Sequence, residues 1–470
     1  MKTYQLVYIL LSIVNVGFGQ PANQKIEKAA QRLLADEQMK HALLGFYVVE
    51  SATGKPVCKI NEEVGLAPAS TQKIFTAIAA FETLGEHYQY NTDIAYNGTL
   101  NGNLLKGDLY ITGNGDPTLG SWRYPQTKRE VVLNKIYKTI AGAGISSIDG
   151  NIILDDSRFS YQPLPGGWIW DDMGNYYGAG CWAVNWNENQ YDLNLKPGIK
   201  EGDSVIITGT TPELKGAVLK NFLKTGKPGS GDNGYIYLAP YSTNGFVTGT
   251  VPAGEKSFKI SGSFPLPAYQ LAQELKQTLE TNKVLVKGDV LTSEALMEAG
   301  KSLTAPVNKI GTLTSPSLDT MAYWFLQKSI NMYGEALLKT MMLQKDGSGS
   351  TDGGVDLLKQ FWSRRNITPE SLNILDGSGL SPQNRVTPKA MVTAMQYARD
   401  KPWFKSFYNA LPLYNGMKMK SGTIGGARAF TGYHKSVSGK EYSFAIIINN
   451  YSGSTAAMVK KIYQLLDELK

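Results

Sequence analysis

The two ends of this chain mirror each other, and that symmetry limits how it can fold. Asn23 to His41 is charged, with apolar residues at Ile26, Ala29, Leu33 and Leu34, the spacing of an amphipathic helix. Two apolar runs follow, Leu43 to Val49 and Pro56 to Ile60, around the turn Thr53-Gly54-Lys55, which predicts a hairpin. At the far end the order inverts. Tyr442 to Asn449 is a β-rich run, and Met458, Ile462, Leu465, Leu466 and Leu469 then recur at helical spacing. The polar face of that last helix carries both charge signs, which favours packing on a sheet over lying on a membrane. Between the ends, from about Tyr90 to Ala305, the chain changes character to short strands, many glycines and prolines, and isolated helices such as Lys128 to Ala143. This stretch reads as one or two inserted domains. Long helical patterns return at Leu318 to Gln344 and Gly354 to Arg365, and no repeat of fixed period is evident.

At roughly 150 residues per domain, 470 residues allow about three domains. The expected division is 20–90 and 305–470 as two parts of one domain, with 91–304 inserted between them. Charged residues make up 19% and form no long single-sign block, which excludes a disordered chain. The net charge of +7 is spread too thinly to indicate a nucleic-acid partner. Two cysteines, Cys58 and Cys181, are too few for a disulfide framework, and their pairing stays open. His41, His87 and His434 lie far apart without paired ligand spacing, so neither a catalytic metal nor any other cofactor is expected. Residues 1–19 carry Lys2, an apolar run from Tyr4 to Gly17, and small residues at Gly17 and Gly19. That is the layout of a cleaved secretory signal, too short and too interrupted for a spanning helix. The expected location is outside the cytoplasm, periplasmic or cell-wall associated, with no membrane span after cleavage.

Pro68-Ala69-Ser70-Thr71-Gln72-Lys73 opens an apolar helical run through Leu84. Three apart on a helix, Ser70 and Lys73 share a face, with Ser70 in the first turn, where free N–H groups favour an attacking alkoxide. To accept the serine proton Lys73 must be neutral, so its pKa must drop by roughly 3, about 4 kcal/mol, through burial and a nearby like charge. Alone, Ser-x-x-Lys is a weak signal, since a helix start favours serine for capping. Two further elements follow in order. Ser329-Ile330-Asn331 places a hydroxyl and an amide where a break between helices would aim them into a cleft. Lys420-Ser421-Gly422-Thr423 reads as the end of one strand before its neighbour, with Lys420 as the second positive charge, Gly422 permitting close approach of a ligand, and the flanking hydroxyls able to hold a carboxylate. Ordinary surface polarity explains any one element, but not the ordered trio.

With these motifs the chain resembles the penicillin-binding D-alanyl-D-alanine carboxypeptidases, specifically the low-molecular-mass class C group with carboxypeptidase and endopeptidase activity. Further segments carry the likeness: Gly113 to Leu119, Gly167 to Asp172, Tyr176 to Ala179, and Asp376-Gly377-Ser378-Gly379-Leu380-Ser381. The resemblance implies an α/β (α+β) transpeptidase/β-lactamase-like domain, a five-stranded antiparallel sheet flanked by helices and split by a β-rich insertion. Spacing agrees, since 259 positions separate Ser70 from Ser329 and only 91 separate Ser329 from Lys420. By resemblance, Ser70 is the acylated nucleophile, Lys73 its base, Ser329 a proton relay, and Asn331 the holder of the substrate amide. Lys420 gives electrostatic support, Ser421 and Thr423 bind the terminal carboxylate, and the N–H groups of Ser70 and Thr423 form an oxyanion hole. Asp172 and Tyr177 match positions associated with the stem-peptide side-chain amine. The implied partners are peptidoglycan stem peptides and β-lactam antibiotics.

Some positions depart from the group. Ile330 stands where Asp or Asn is frequent, Ser421 where Thr is usual, Pro382 where Arg is frequent, and Cys181-Trp182 where small residues or proline are common. The aromatic group Trp168, Trp170, Tyr176, Tyr177, Trp182 and Trp186 reads as domain-interface packing ahead of a glycan or peptide platform. A β-lactamase is the nearest alternative. Its water-activating Glu-x-x-Leu-Asn pattern occurs here as Glu130 to Asn134, but ahead of Ser329 and inside the amphipathic pattern Val132, Leu133, Ile136, Ile140. A non-catalytic cell-wall-binding scaffold of the same fold is the other, and it need not keep Ser70, Lys73, Ser329 and Lys420 together.

Overall fold

The computed structural model describes residues 22–470, so the predicted leader at 1–19 lies outside the described residues. The two ends of the chain meet in one antiparallel sheet. Its strand order is Pro56–Ile60, Leu43–Glu50, Glu441–Asn449, Ala427–Lys435, Met417–Ile424, Leu413–Tyr414. Five of these are full strands, and the two-residue Leu413–Tyr414 adds a sixth to the five expected.

Alternation along the central strands decides what covers each face. Leu44, Phe46 and Val48, with Phe444, Ile446 and Ile448, point to one side, where helices Ala22–Leu34 and Thr455–Leu466 bring Ile26, Ala30, Met458 and Ile462 against them. Tyr47, Val49, Ala445 and Ile447 point to the other, against helices Lys73–Leu84 and Pro388–Arg399. Full burial of each Leu, Ile, Val or Phe stabilises by about 1.5–3 kcal/mol, and a one-residue slip would exchange the faces. Gly45 is needed for the second layer, because a Cβ there would sit 2.7 Å from both Leu66 and Pro388 side chains.

The insertion has its own core. A five-stranded sheet, ordered Val290–Thr292, Ile152–Asp155, Leu109–Thr112, Asn91–Tyr96, Asn308–Thr314, is backed by helices Arg129–Gly142 and Pro267–Thr281. It also holds a four-stranded sheet, Leu285–Val286, Ser147–Ile148, Leu104–Lys106, Thr99–Asn101, and two three-stranded sheets: Ile206–Thr211, Gln190–Lys196, Phe258–Ser263, and Val218–Gly226, Asn244–Pro252, Asn233–Tyr237. Asn308–Thr314 pairs with Asn91–Tyr96, so the inserted sheet reaches past residue 304. That strand is only half-buried and carries little apolar signal of its own. Return segments from the insertion enter the catalytic half: Phe159, Cys181 and Ala183 belong to the core around Lys73–Leu84. Cys58 and Cys181 are both buried free thiols.

Candidate active site

The turn that carries Ser70 is clamped from two sides. Ala67 exchanges two hydrogen bonds with the Asn449 side chain at the end of the central strand, at 2.7 and 3.2 Å. Ala69 then takes φ +47°, and Ala69–Gln72 forms a 3-10 turn ahead of helix Lys73–Leu84. Ser70 therefore precedes the α-helix instead of lying in its first turn, because the left-handed Ala69 tightens the entry. Across from it, a Cβ on Gly422 would stand 2.5 Å from Pro68 O and 2.9 Å from the nitrogens of Ser70 and Thr71. The strand bearing Lys420 thus lies backbone to backbone against the serine.

Lys73 is fully buried, and its Nζ reaches Asn331 Oδ1 at 2.6 Å, Ser378 O at 2.7 Å and Ser70 Oγ at 3.1 Å. Burial pushes its pKa down to about 7, with Asp376 and Glu335 opposing the fall. A neutral amine has two N–H donors and one lone pair. The two shorter contacts take the donors and leave the lone pair for the Ser70 hydroxyl, the arrangement a general base requires.

Ser329 sits at φ +58° between helices Leu318–Gln327 and Asn331–Asp346, the break that the sequence pattern anticipated. Its Oγ is buried and has no hydrogen-bond partner among the described residues. Asn331 is engaged at both ends of its amide, accepting from Lys73 and donating to Tyr177 O at 2.8 Å, so only its second N–H is left for a substrate. Lys420 is 2% exposed, donates to Ser421 O at 2.8 Å, and is held well below the ordinary lysine range by burial and by the charges of Lys73 and Arg428. Thr423 Oγ1 accepts from Arg428 on the neighbouring strand.

Ser70, Ser329, Asn331, Thr423, Asp172 and Tyr177 line one cleft of about 540 Å³. Lys73 and Lys420 lie beneath it, Gly422 packs behind the serine turn, and Ser421 is half-buried on the same strand without lining the cleft. Burial raises Asp172 to about 6, with the Tyr177 hydroxyl pulling the other way. Pro382 also lines the cleft, as do Lys328 and the buried Arg123–Glu188 pair. Glu130 is an exposed first-turn residue of helix Arg129–Gly142 and does not reach the cleft. The aromatic group divides: Trp168, Trp182 and Trp186 are buried, while Trp170 and Tyr176 are about half exposed.

Apart from Asn331, the groups that hold Lys73 had no role in the sequence reading, which named Asp376 and Ser378 only within a motif and missed Glu335. The Asp376 carboxylate accepts from Gln72 Nε2, Trp168 Nε1, Asn384 Nδ2 and the N–H groups of Gly379 and Ser381. This curls the 376–381 loop so that the Ser378 carbonyl faces Lys73. Glu335, fully buried, accepts from Gly377 N at 3.0 and 3.2 Å, and burial beside Asp376 raises it to about 8. A spacing of four places Asn331, Glu335 and Lys339 on one face of an otherwise apolar helix, a signal that could have found Glu335.

Residues 26–469 match the D-Ala-D-Ala carboxypeptidase 3 (S13) family. The D-alanyl-D-alanine carboxypeptidase of Actinomadura sp. (strain R39) is 27% identical over 463 residues, covering 91% of this chain and 81% of that protein. The D-alanyl-D-alanine carboxypeptidase DacB of Haemophilus influenzae is 24% identical over 468 residues, covering 94% and 91%. Among solved structures, penicillin binding protein 4 (dacB) from Haemophilus influenzae superposes with a TM-score of 0.79 at 22% identity, covering 94% of this chain and 99% of that one. The same protein complexed with a β-lactam gives 0.75 at 20% identity. The transpeptidase-like fold with its insertion is therefore shared.

Proposed function

Because this chain belongs to the D-Ala-D-Ala carboxypeptidase 3 (S13) family, we propose that Ser70, Lys73, Ser329, Asn331 and Lys420 carry its reaction on peptidoglycan stem peptides. The chain is a serine-type D-Ala-D-Ala carboxypeptidase and a penicillin-binding protein, a hydrolase. The observation that carries the assignment of residues is the buried Lys73 amine, 3.1 Å from Ser70 Oγ with its two donors already committed.

In this reading the Ser70 oxygen attacks the carbonyl of the penultimate D-alanine while its proton passes to Lys73. The N–H groups of Ser70 and Thr423 receive the developing oxyanion, a contribution of about 3–4 kcal/mol per donor in comparable sites. The C–N bond breaks, a proton reaches the leaving amine through Ser329, and terminal D-alanine departs. Water then cleaves the ester and regenerates Ser70. Thr423, backed by Arg428, holds the substrate's terminal carboxylate, which also serves as counter-ion to the buried Lys420. Asp172 and Tyr177 line the same cleft at a position suited to a side-chain amine. Pro382 lines the cleft where the group often has Arg, so the cations left on its lining are Lys328 and the Arg123 already paired with Glu188. Terminal and cross-linking D-alanine present the same kind of peptide bond to Ser70, so this reading covers carboxypeptidase and endopeptidase action alike. Among the described residues no helix is long and apolar enough to cross a membrane, and residues 1–19 are proposed to export the chain to the cell wall.

The test is covalent labelling with fluorescent penicillin. Wild-type protein gives a persistent adduct on the peptide containing Ser70, and Ser70→Ala gives none. Rapid drug turnover without a lasting adduct would replace the peptidase reading with a lactamase, and an unlabelled wild type would leave only the scaffold. Digestion of defined muropeptides then separates carboxypeptidase from endopeptidase action.

A further inference from the structure

The sheet of Val218–Gly226, Asn244–Pro252 and Asn233–Tyr237 has two unlike faces. Leu223, Ile236 and Val247, none above 2% exposed, enter the core of the insertion from its inner face. Alternation puts the intervening residues on the outer face, where register sets them in rows. Phe222, Thr248 and Tyr235 lie side by side, and Lys220, Phe246 and Tyr237 form the next row. A one-sided sheet ordinarily turns polar residues to water. Here Phe222 and Tyr235 are 58% and 44% exposed.

The rings continue off the sheet toward the active site. Tyr237 stacks on Phe246 at 4.7 Å, Phe246 meets Phe222 at 6.2 Å, and Trp170 lies 5.5 Å from Tyr237. Trp170 opens the short helix Trp170–Met173, which is fixed to the sheet edge by Tyr237 OH donating to Asp171 at 2.9 Å and Ile236 N donating to Asn175 Oδ1 at 3.1 Å. Ile169 and Tyr176, on either side of that helix, line the catalytic cleft. A line of aromatic rings therefore runs across the sheet to Trp170, the chain neighbour of the cleft-lining Ile169.

We propose that this face binds the glycan strand from which the stem peptide hangs, with sugar rings stacked along Trp170, Phe246, Phe222 and Tyr235 while the peptide occupies the cleft. The inference rests on the function proposed above, since it takes the occupant of the cleft to be a peptide carried on a polysaccharide. A pyranose ring offers an apolar C–H face and a polar rim. Aromatic rings interleaved with Lys220, Lys224, Thr248 and Asn233 match both, the lysines and hydroxyls serving sugar oxygens and N-acetyl carbonyls. A protein helix or an acyl chain would demand a continuous aliphatic patch, whereas Val218 is the aliphatic residue this outer face exposes.

The test uses the full chain with Phe222→Ser and Tyr235→Ser combined, two surface positions outside the cleft, with thermal melting to check folding. Three readouts are taken: hydrolysis of a free stem pentapeptide, digestion of insoluble peptidoglycan, and co-sedimentation with glycan strands stripped of peptide. The expected result is pentapeptide kcat/KM within twofold of wild type, digestion of insoluble peptidoglycan at least fivefold slower through a higher KM, and lost co-sedimentation. Unchanged digestion and co-sedimentation in the variant overturn the proposal. So does a wild type that sediments with anionic vesicles, or self-associates through this face, while ignoring stripped glycan. A wild type inert toward the free pentapeptide would sink the function proposed above, yet co-sedimentation would still decide this one.

Discussion

With Lys73 pushed down to about 7, the fraction of amine able to accept the Ser70 proton changes tenfold per pH unit below neutrality. The rate of acylation by a β-lactam should rise with unit slope up to about pH 7 and then level off, which stopped-flow labelling across pH 5–9 would measure. A flat profile would mean that some other group takes the proton. The same shift has a sign for stability. Between about pH 7 and 10.5 the unfolded chain keeps a proton that native Lys73 has lost, so this group's contribution rises with pH across that window. Ser329 poses the complementary case. Its hydroxyl bonds to no other described protein group, so removing it breaks no hydrogen bond of the fold. Ser329→Ala should therefore melt no lower than wild type, while turnover of a D-Ala-D-Ala peptide falls about 100-fold through loss of proton transfer. A melting temperature several degrees lower would show that the hydroxyl is structural. Ser70, Lys73 and Lys420 were legible because their spacing along one helix or strand is local. Asp376 was legible as a motif position but not in its role, and Glu335 not at all, because their importance lies in which carbonyl they turn toward Lys73, and only the folded chain decides that.

At the scale of elements, the site depends on two backbones lying closer than side chains allow. A Cβ on Gly422 would meet Pro68 O and the Ser70 and Thr71 nitrogens at 2.5–2.9 Å, and backbone atoms cannot swing aside as a flexible side chain can. Gly422→Ala should push the Met417–Ile424 strand away from the serine turn and misplace the two N–H donors proposed for the oxyanion. Acylation should fall by about 100-fold or more, in line with loss of one such donor, while the far-ultraviolet circular dichroism stays native. Labelling at the wild-type rate would remove the strand from the oxyanion hole. The elements themselves were largely readable. The hairpin, the final strand and helix, and the helix at Arg129–Gly142 follow periodicity within two residues. The long pattern from Leu318 breaks at Ser329, where a polar triplet interrupts the apolar stripe. What periodicity missed was the left-handed Ala69, since alanine carries no preference for that conformation, and hence the 3-10 turn that carries Ser70.

The whole molecule is a layered sheet domain and an insertion with its own core, and the two must hold one cleft between them. That the ends share a sheet could be anticipated from their mirrored order, but the pairing inside the insertion could not, because strands such as Asn91–Tyr96 and Asn308–Thr314 meet across more than 200 residues. The joint also escaped the sequence reading. Asn187, Glu188 and Asn189 all take φ near +53°, held by Asn189 bonding to Trp186 N, Gly180 O and Asn185. This tight turn aims the Glu188 carboxylate, 1% exposed, at Ser121 Oγ (2.7 Å), Arg123 Nε (2.8 Å) and the hydroxyl of Tyr333 (3.0 Å). Tyr333 lies two residues past Asn331, so a single carboxylate ties the insertion to the helix that positions the Lys73 partner. Removing one member of a fully buried charged pair costs about 3–5 kcal/mol, and the loss here is smaller because Arg123 keeps some contact with the cleft. Glu188→Ala should therefore melt several degrees lower and acylate more slowly, with Asn331 loosened. Glu188→Gln retains acceptor and shape and should lose less of both, which differential scanning calorimetry paired with penicillin labelling would rank. If Glu188→Ala melts and labels like the wild type, the two parts are held together by apolar packing alone, and the loop bearing Phe159 and Ala183 becomes the place to cut the joint.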